Sequence, residues 1–518
     1  MRERTRRRRR DIQKQFSLRR YRLKAEALDM IENFPDEDIE LLLNRLQQES
    51  RSSTLDVETI RNVIEEAATD ESTTSVYSLA VIDNVFLVPK FRYDVVNKRF
   101  IEHESNLPVH GEASAKTYIY RERFRLLSQR VSRADSFSRP VFDADMLQYK
   151  KREISSIQSL AVEMGKKWVM GLILQMEDGH FYLEDLSASV EIDLSKAKIT
   201  TGFFTENTII LAQGEMHNGI FQVIACGFPP LEDRDKTLRI HRDNDFFGCG
   251  RPTKHEMIRL ADLDRLPVND TFVILSEIWL DDEEVLGKLE TVLHRFESVE
   301  TVPSLFVFMG NFCSRPCNLS FGSYSSLRQQ FGKLGRMIGN HPKLKANSRF
   351  LFIPGPHDAG PSTVLPRCGL PEYLTEELRE VIPNAIFSSN PCRVKFDNKE
   401  IVFFRQDLLY RMSRSCLITP SSEETTDPFE HLVSTLIHQS HLCPLPLLVQ
   451  PIIWNYDHCL KLYPTPHTIV LGDKSEQKDC RIGGAKCFNP GSFSTDSTYV
   501  VYRPSTQEID TRPFRQQT

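Results

Sequence analysis

Four loops in the second half of this 518-residue sequence carry side chains able to hold a metal ion, and each follows an apolar run. Phe272–Leu275 leads to Ser276-Glu277-Ile278-Trp279, and Leu305–Met309 leads to Gly310-Asn311. Phe350–Ile353 leads to Gly355-Pro356-His357-Asp358, and Thr468–Leu471 to Gly472-Asp473-Lys474-Ser475. Continuous apolar runs of four or five residues read as strands buried on both faces. Carboxylates and imidazoles at their ends would suit metal-assisted hydrolysis. That chemistry uses two divalent cations about 3.5–4 Å apart, gripped by several anionic oxygens and imidazoles. The set falls short. An indole has no free lone pair for a cation, so Trp279 is no ligand. Asn311 offers a neutral amide, Pro356 no side-chain oxygen, and Ser475 a hydroxyl. Glu277, His357, Asp473 and one of His438 or His441 remain, too few for a dinuclear centre.

The order of these loops resembles that of the two-metal phosphoesterases. There, Asp-x-His, Gly-Asp-x-x-Asp, Gly-Asn-His-Asp and Gly-His-x-His follow successive strands. Asn489-Pro490-Gly491-Ser492 is similar to that family's closing segment. The glycines are kept and most ligands are not. The resemblance implies an α/β metallophosphoesterase-like β-sandwich whose site is degenerate at Glu277, Trp279, Asn311, Pro356, His357, Asp473 and Ser475. It therefore implies no catalytic residue, no metal and no cofactor. The Trp279 ring is expected to fill the space that metals would take. A divergent metal-dependent phosphodiesterase working through Glu277, His357 and Asp473 is the alternative.

Such loops need a large scaffold. A chain of 518 residues exceeds one hydrophobic core, so two to four domains are expected. Hydrophobic residues are 40% and charged residues 26%, enough apolar material for several cores, and the net charge of −5 argues against wholesale nucleic-acid coating. No apolar run reaches the length of a membrane span, and the basic start lacks the apolar segment of a secretory signal. Eleven cysteines without a Cys-x-x-Cys pair read as reduced thiols.

Residues 1–18, with five consecutive arginines at Arg6–Arg10, read as a basic solvated tail or nuclear-import signal. Residues 19–72 show apolar stripes at helical spacing: Leu23, Ala27, Met30, Ile31 and Phe34, then Ile39, Leu42, Leu43 and Leu46, then Val57, Ile60, Val63 and Ile64. They predict a small helical bundle. Residues 73–160 form a connector with a strand-rich piece at Ser78–Lys90 and a basic amphipathic helix at Thr117–Val131, carrying Arg121, Arg123, Arg125 and Arg130.

From 161 to 228 the pattern turns to β. Trp168–Leu174, Phe181–Glu184, Val190–Leu194, Thr208–Gln213 and Phe221–Ala225 are short runs, with Asp178-Gly179 and Asn218-Gly219 as turns. They predict a five-stranded OB-type β-barrel. Such barrels often bind single-stranded nucleic acid through basic grooves. This one has nine acids against four bases, so protein contact is the expectation and DNA contact is indirect or weak. Residues 229–518 complete a multi-domain α+β chain as the degenerate phosphoesterase-like domain.

An acidic OB barrel followed by a ligand-depleted phosphoesterase domain resembles the B-subunit family of replicative DNA polymerases, its epsilon branch in particular. Phe181-Tyr182-Leu183-Glu184-Asp185, Asn244-Asp245-Phe246-Phe247-Gly248, Ser276-Glu277-Ile278-Trp279-Leu280, Asn390-Pro391-Cys392-Arg393 and Phe404-Arg405-Gln406-Asp407-Leu408 carry the likeness. Glu277 departs from it where relatives can keep Asp. The resemblance implies a non-catalytic accessory subunit, nuclear, that clamps the C-terminal region of the polymerase catalytic subunit. It also implies that the helical module, similar to the lid of AAA+ ATPases, reaches the replicative helicase and its GINS complex.

Overall fold

The computed structural model describes residues 79–103, 107–137, 153–162, 165–242, 244–250, 270–317, 321–360 and 364–513, with isolated positions before residue 79. The chain divides into two compact units, Met1–Ser78 and Leu79–Thr518.

In the first unit Ile12, Phe16, Ala27, Leu28, Ile31 and Ile39 are buried. Ala27, Ile31 and Ile39 belong to the expected apolar stripes. Ile12 and Phe16 do not, and they correct the expectation of a solvated tail through residue 18. Both are helical, and apolar side chains four apart share one helix face, so packing begins before residue 19. Leu23 is a second correction: with Arg22 it pairs in parallel with Thr54–Leu55 rather than continuing a helix. The stripes Leu42–Leu46 and Val57–Ile64, with Met30 and Phe34, lie outside the described residues, as does the arginine run apart from Arg9.

In the second unit the barrel runs through Lys167–Glu177, His180–Glu184, Ser189–Asp193, Ile209–His217 and Ile220–Gly227. Antiparallel pairs join the first strand to the second and the fourth, the second to the third, and the fourth to the fifth. Parallel pairing of Ile220–Gln222 with Glu191–Asp193 closes it. Alternate residues Val169, Ile173, Leu183, Ile192, Ile210, Ala212, Phe221 and Val223 fill the interior, as a period of two requires.

The helix Ala113–Val131 starts earlier than expected, and its arginines are not an exposed basic face. Arg123 and Arg130 are buried. Leu126, Leu127 and Val131 pack with Met170, Ile209 and Leu211 of the barrel and Tyr463 beyond it. The expected connector is thus woven into its neighbours. Its strand Leu79–Ile82 goes further and becomes the edge of a sheet by pairing with Cys392–Phe396.

That sheet is half of a sandwich. One six-stranded sheet orders Ala385–Phe387, Arg349–Ile353, Leu305–Met309, Phe272–Ser276, Thr498–Arg503 and Glu508–Pro513. The other orders Lys478–Ile482, Ala485–Asn489, Thr468–Gly472, Lys399–Arg405, Cys392–Phe396 and Leu79–Ile82. The helices Glu283–Glu297, Phe321–Gly339 and Glu372–Val381 contribute Leu289, Phe331 and Leu378 to a core with Val273, Phe306 and Phe350 of the first sheet. The helix Pro428–Gln439 sets Leu432 and Leu436 among Val402, Phe404, Ile469 and Leu471 of the second. With helices outside, the strands bury both faces, which is why they read as continuous apolar runs. Phe272–Ser276, Leu305–Met309 and Arg349–Ile353 are mutually parallel, and Lys399–Arg405 runs parallel to Thr468–Gly472. Parallel order brings the loops after them to one edge.

Candidate functional site

At that edge the structure places a cation that belongs to the chain itself. Arg405, last residue of its strand, has no exposed surface. Its guanidinium pairs with Glu277 Oε1 and donates to the Gly310 carbonyl. It also donates to Asp407 Oδ1 at 2.8 Å and to the Gly472 carbonyl at 2.9 Å. Three of the four strand-end loops named from sequence therefore close around one side chain.

Glu277 is the hub. Besides Arg405, its carboxylate accepts from Asn311 Nδ2 at 2.7 Å and from the Trp279 indole Nε1 at 3.0 Å. Lys474 Nζ stands 3.8 Å from it. Its backbone lies in the left-handed region at φ 56, an uncommon state for a residue with a Cβ, and its amide donates to the Met309 carbonyl at 3.0 Å. Asn311 completes the lattice by accepting the His357 amide at 2.8 Å.

The electrostatics follow from burial against pairing. Burial works against the charge of Arg405, but Asp407 and Glu277 outweigh it and hold its pKa above the ordinary value. Burial likewise opposes the charge of Asp407, and Arg405 reverses it and pulls that carboxyl down. Burial lowers His357. Burial raises Asp358 to about 6, against the amides of Phe312 and Gly355, each 2.7 Å from its carboxylate. Asp358 thus ties two loops together, which explains a retained glycine: a Cβ at Gly310 would lie 1.9 Å from Asp358 Oδ2.

The remaining candidate ligands are brought elsewhere or committed to other work. Asp473 accepts the amides of Leu408 and Leu409 at 2.6 and 2.9 Å, so it caps the helix Leu408–Arg414. Ser475 receives Asn489 Nδ2 at 3.1 Å on its hydroxyl. Pro356 offers its carbonyl to Arg367 at 3.1 Å. His438 and His441 do not join the Glu277 group. His438 Nδ1 meets the Pro229 carbonyl at 2.9 Å, and His441 Nε2 meets Asp457 at 3.2 Å.

The expectation that Trp279 fills the metal space is corrected as well. The ring is half-buried, and the filler is Arg405, which reaches in from a different strand. Arg405 and Asp407 stand in a string quoted for family likeness, yet sequence reasoning gave them no role. The available signal was a cation ending the apolar run Ile401–Phe404, where a buried charge demands a partner.

Known proteins align with this architecture. The family model for the B subunit of DNA polymerases alpha and epsilon matches residues 272–480. A DNA polymerase epsilon subunit 2-like OB-fold model matches residues 113–230. The DNA polymerase epsilon B subunit of Arabidopsis thaliana is 74% identical over 98% of this chain and 99% of that protein. DNA polymerase epsilon subunit 2 of Homo sapiens is 33% identical over 94% of this chain and 93% of its own. DNA polymerase epsilon subunit 2 of Drosophila melanogaster is 30% identical, covering 83% of this chain and 82% of its own length.

Proposed function

Because the chain belongs to the B-subunit family of DNA polymerases alpha and epsilon, we propose that it is the non-catalytic accessory subunit of a DNA polymerase epsilon complex acting in DNA replication. The observation that carries the non-catalytic reading is the Arg405 guanidinium seated between Glu277 and Asp407. A fixed organic cation neutralises those carboxylates but has no exchangeable position for a water nucleophile or a phosphoryl oxygen, the two services a hydrolytic metal supplies. Asn311 and Trp279 also donate to Glu277, so both of its carboxylate oxygens already accept from the chain itself. Substrate turnover is therefore not the role of this domain, and binding is.

The protein clamps the C-terminal region of the catalytic subunit through Leu79–Thr518. The Met1–Ser78 unit, compact in its own right, contacts the replicative helicase and its GINS complex. The complex works in the nucleus, and the acidic barrel leaves DNA contact indirect or weak. Co-expression with the C-terminal region of the epsilon catalytic subunit tests this. The full chain and a chain lacking residues 1–78 should both co-purify with that region, and only the full chain should capture GINS. Failure of the full chain to hold the catalytic region would overturn the clamp. GINS capture by the shortened chain would overturn the assignment of that contact.

A further inference from the structure

A second group of metal-ligating side chains lies outside the Arg405 centre, on the helical layer. His294 and Glu297 are three apart in the last turn of the helix Glu283–Glu297, so they share one face. His341 immediately precedes the short helix Pro342–Asn347. One donor atom from each of the three lies within 4.8 Å of the other two. The rings of His294 and His341 are 6.3 Å apart between centroids. Nitrogens bound to one zinc ion sit roughly 3.3 Å apart at bond lengths of about 2.0–2.1 Å.

The surroundings of His341 supply the independent observation. Its Nδ1 lies 2.6 Å from Glu297 Oε2. An ionised carboxylate only accepts, so Nδ1 donates to it and Nε2 is the ring nitrogen left over. His341 is 6% exposed, and its Nε2 is buried with no hydrogen-bond partner among the described residues. A buried ring nitrogen left without a partner is unfavourable. A cation on Nε2 would satisfy it while Nδ1–H keeps its bond to Glu297, the carboxylate–imidazole pairing that orients ligating histidines.

We propose that His294 and His341 bind one transition-metal ion, with Glu297 holding the His341 ring and adding negative charge beside the ion. Imidazole donors suit Zn2+. The ion would fasten the end of the Glu283–Glu297 helix to the segment leading into the Arg349–Ile353 strand.

The test uses the full chain, stripped by a chelator and titrated with ZnCl2 in a calorimeter. One equivalent should bind and raise the melting temperature. His294→Ala, at an exposed position, should melt like the metal-free wild type and bind at least tenfold more weakly. Glu297→Gln should lose roughly 10–100-fold, as loss of a partner that orients a ligand does. Co2+ in place of Zn2+ should give a spectrum without a thiolate charge-transfer band. The proposal is overturned if the wild type takes up no equivalent, or if both variants bind as tightly as wild type. A thiolate band that survives His294→Ala overturns it too, because the ion would then sit on cysteines.

Discussion

Two buried arginines hold this molecule together in different ways. Arg405 sits among loops of one sandwich, paired with Glu277 and with Asp407 two residues away. Arg123 comes from the helix Ala113–Val131 and pairs with Asp457, 334 positions further along, where His441 meets the same carboxylate. Arg130, two turns on, donates to Ser440 Oγ at 2.6 Å and to the His438 carbonyl at 2.6 Å. The first centre neutralises carboxylates at strand ends; the second fastens the helix packed on the barrel to the sandwich. The same chemistry thus gathers strand-end loops in one place and makes an internal joint in the other.

The largest expected effect breaks the first centre. Arg405→Met strands Glu277 as a buried charge and leaves the half-buried Asp407 unpaired, and should cost about 3–5 kcal/mol in urea unfolding of the full chain. Combining it with Glu277→Gln and Asp407→Asn should recover much of that loss, because no lone charge remains. A wild-type midpoint for the single variant would remove Arg405 from its central place.

Arg123→Met should cost about 3 kcal/mol, and locally. Hydrogen exchange should accelerate in Ala113–Val131 and Trp454–Leu460 while Phe272–Ser276 stays protected. Uniform acceleration would show that the two centres unfold as one.

Acid should separate them by degree, because His357 of the Arg405 centre, lowered by burial, loses stability with falling pH as the histidines of the joint do, while Asp358 opposes it. Burial, and then the charge of Arg123, lowers His441 to about 4, and burial lowers His438 to about 4. In the unfolded chain both titrate near 6.5. As pH falls from about 6.5 to about 4, the unfolded state takes up protons that the folded state refuses. Their contribution, present above 6.5, is lost across that window, on the order of 2 kcal/mol per group. Asp358 acts in reverse. Its carboxyl, raised to about 6, favours the fold increasingly as pH drops from 6 towards 4. Exchange at pH 5 should therefore loosen the Arg123 joint before the Arg405 centre; the opposite order would count against this assignment.

Trp279→Ala should cost only about 1–2 kcal/mol, below the 3–5 kcal/mol of a fully buried aromatic, because the ring is half-buried. Loss of 4 kcal/mol in a thermal melt would restore the ring as the filler. The smallest effect is none: with Mn2+ added, the chain should hydrolyse neither p-nitrophenyl phosphate esters nor nucleotide diesters. Turnover that disappears in Asp473→Ala would establish a working site.

The sequence by itself determined the strands and what their ends lack. Phe272–Leu275, Leu305–Met309 and Thr468–Leu471 are strands because only burial on both faces tolerates such runs. The barrel was legible because alternation and Asn-Gly or Asp-Gly turns are local signals. Trp279 and Asn311 withhold metal ligands by residue type alone. Tertiary structure decided what replaced it. A buried cation is worth little until its anions are within reach, and Arg405 finds Glu277 across 128 positions of chain. The same holds for Arg123 and Asp457, and for Leu79–Ile82, which reads as an isolated strand until Cys392–Phe396 pairs with it. Periodicity reports which face of an element is buried; it carries no record of which distant partner lies against that face.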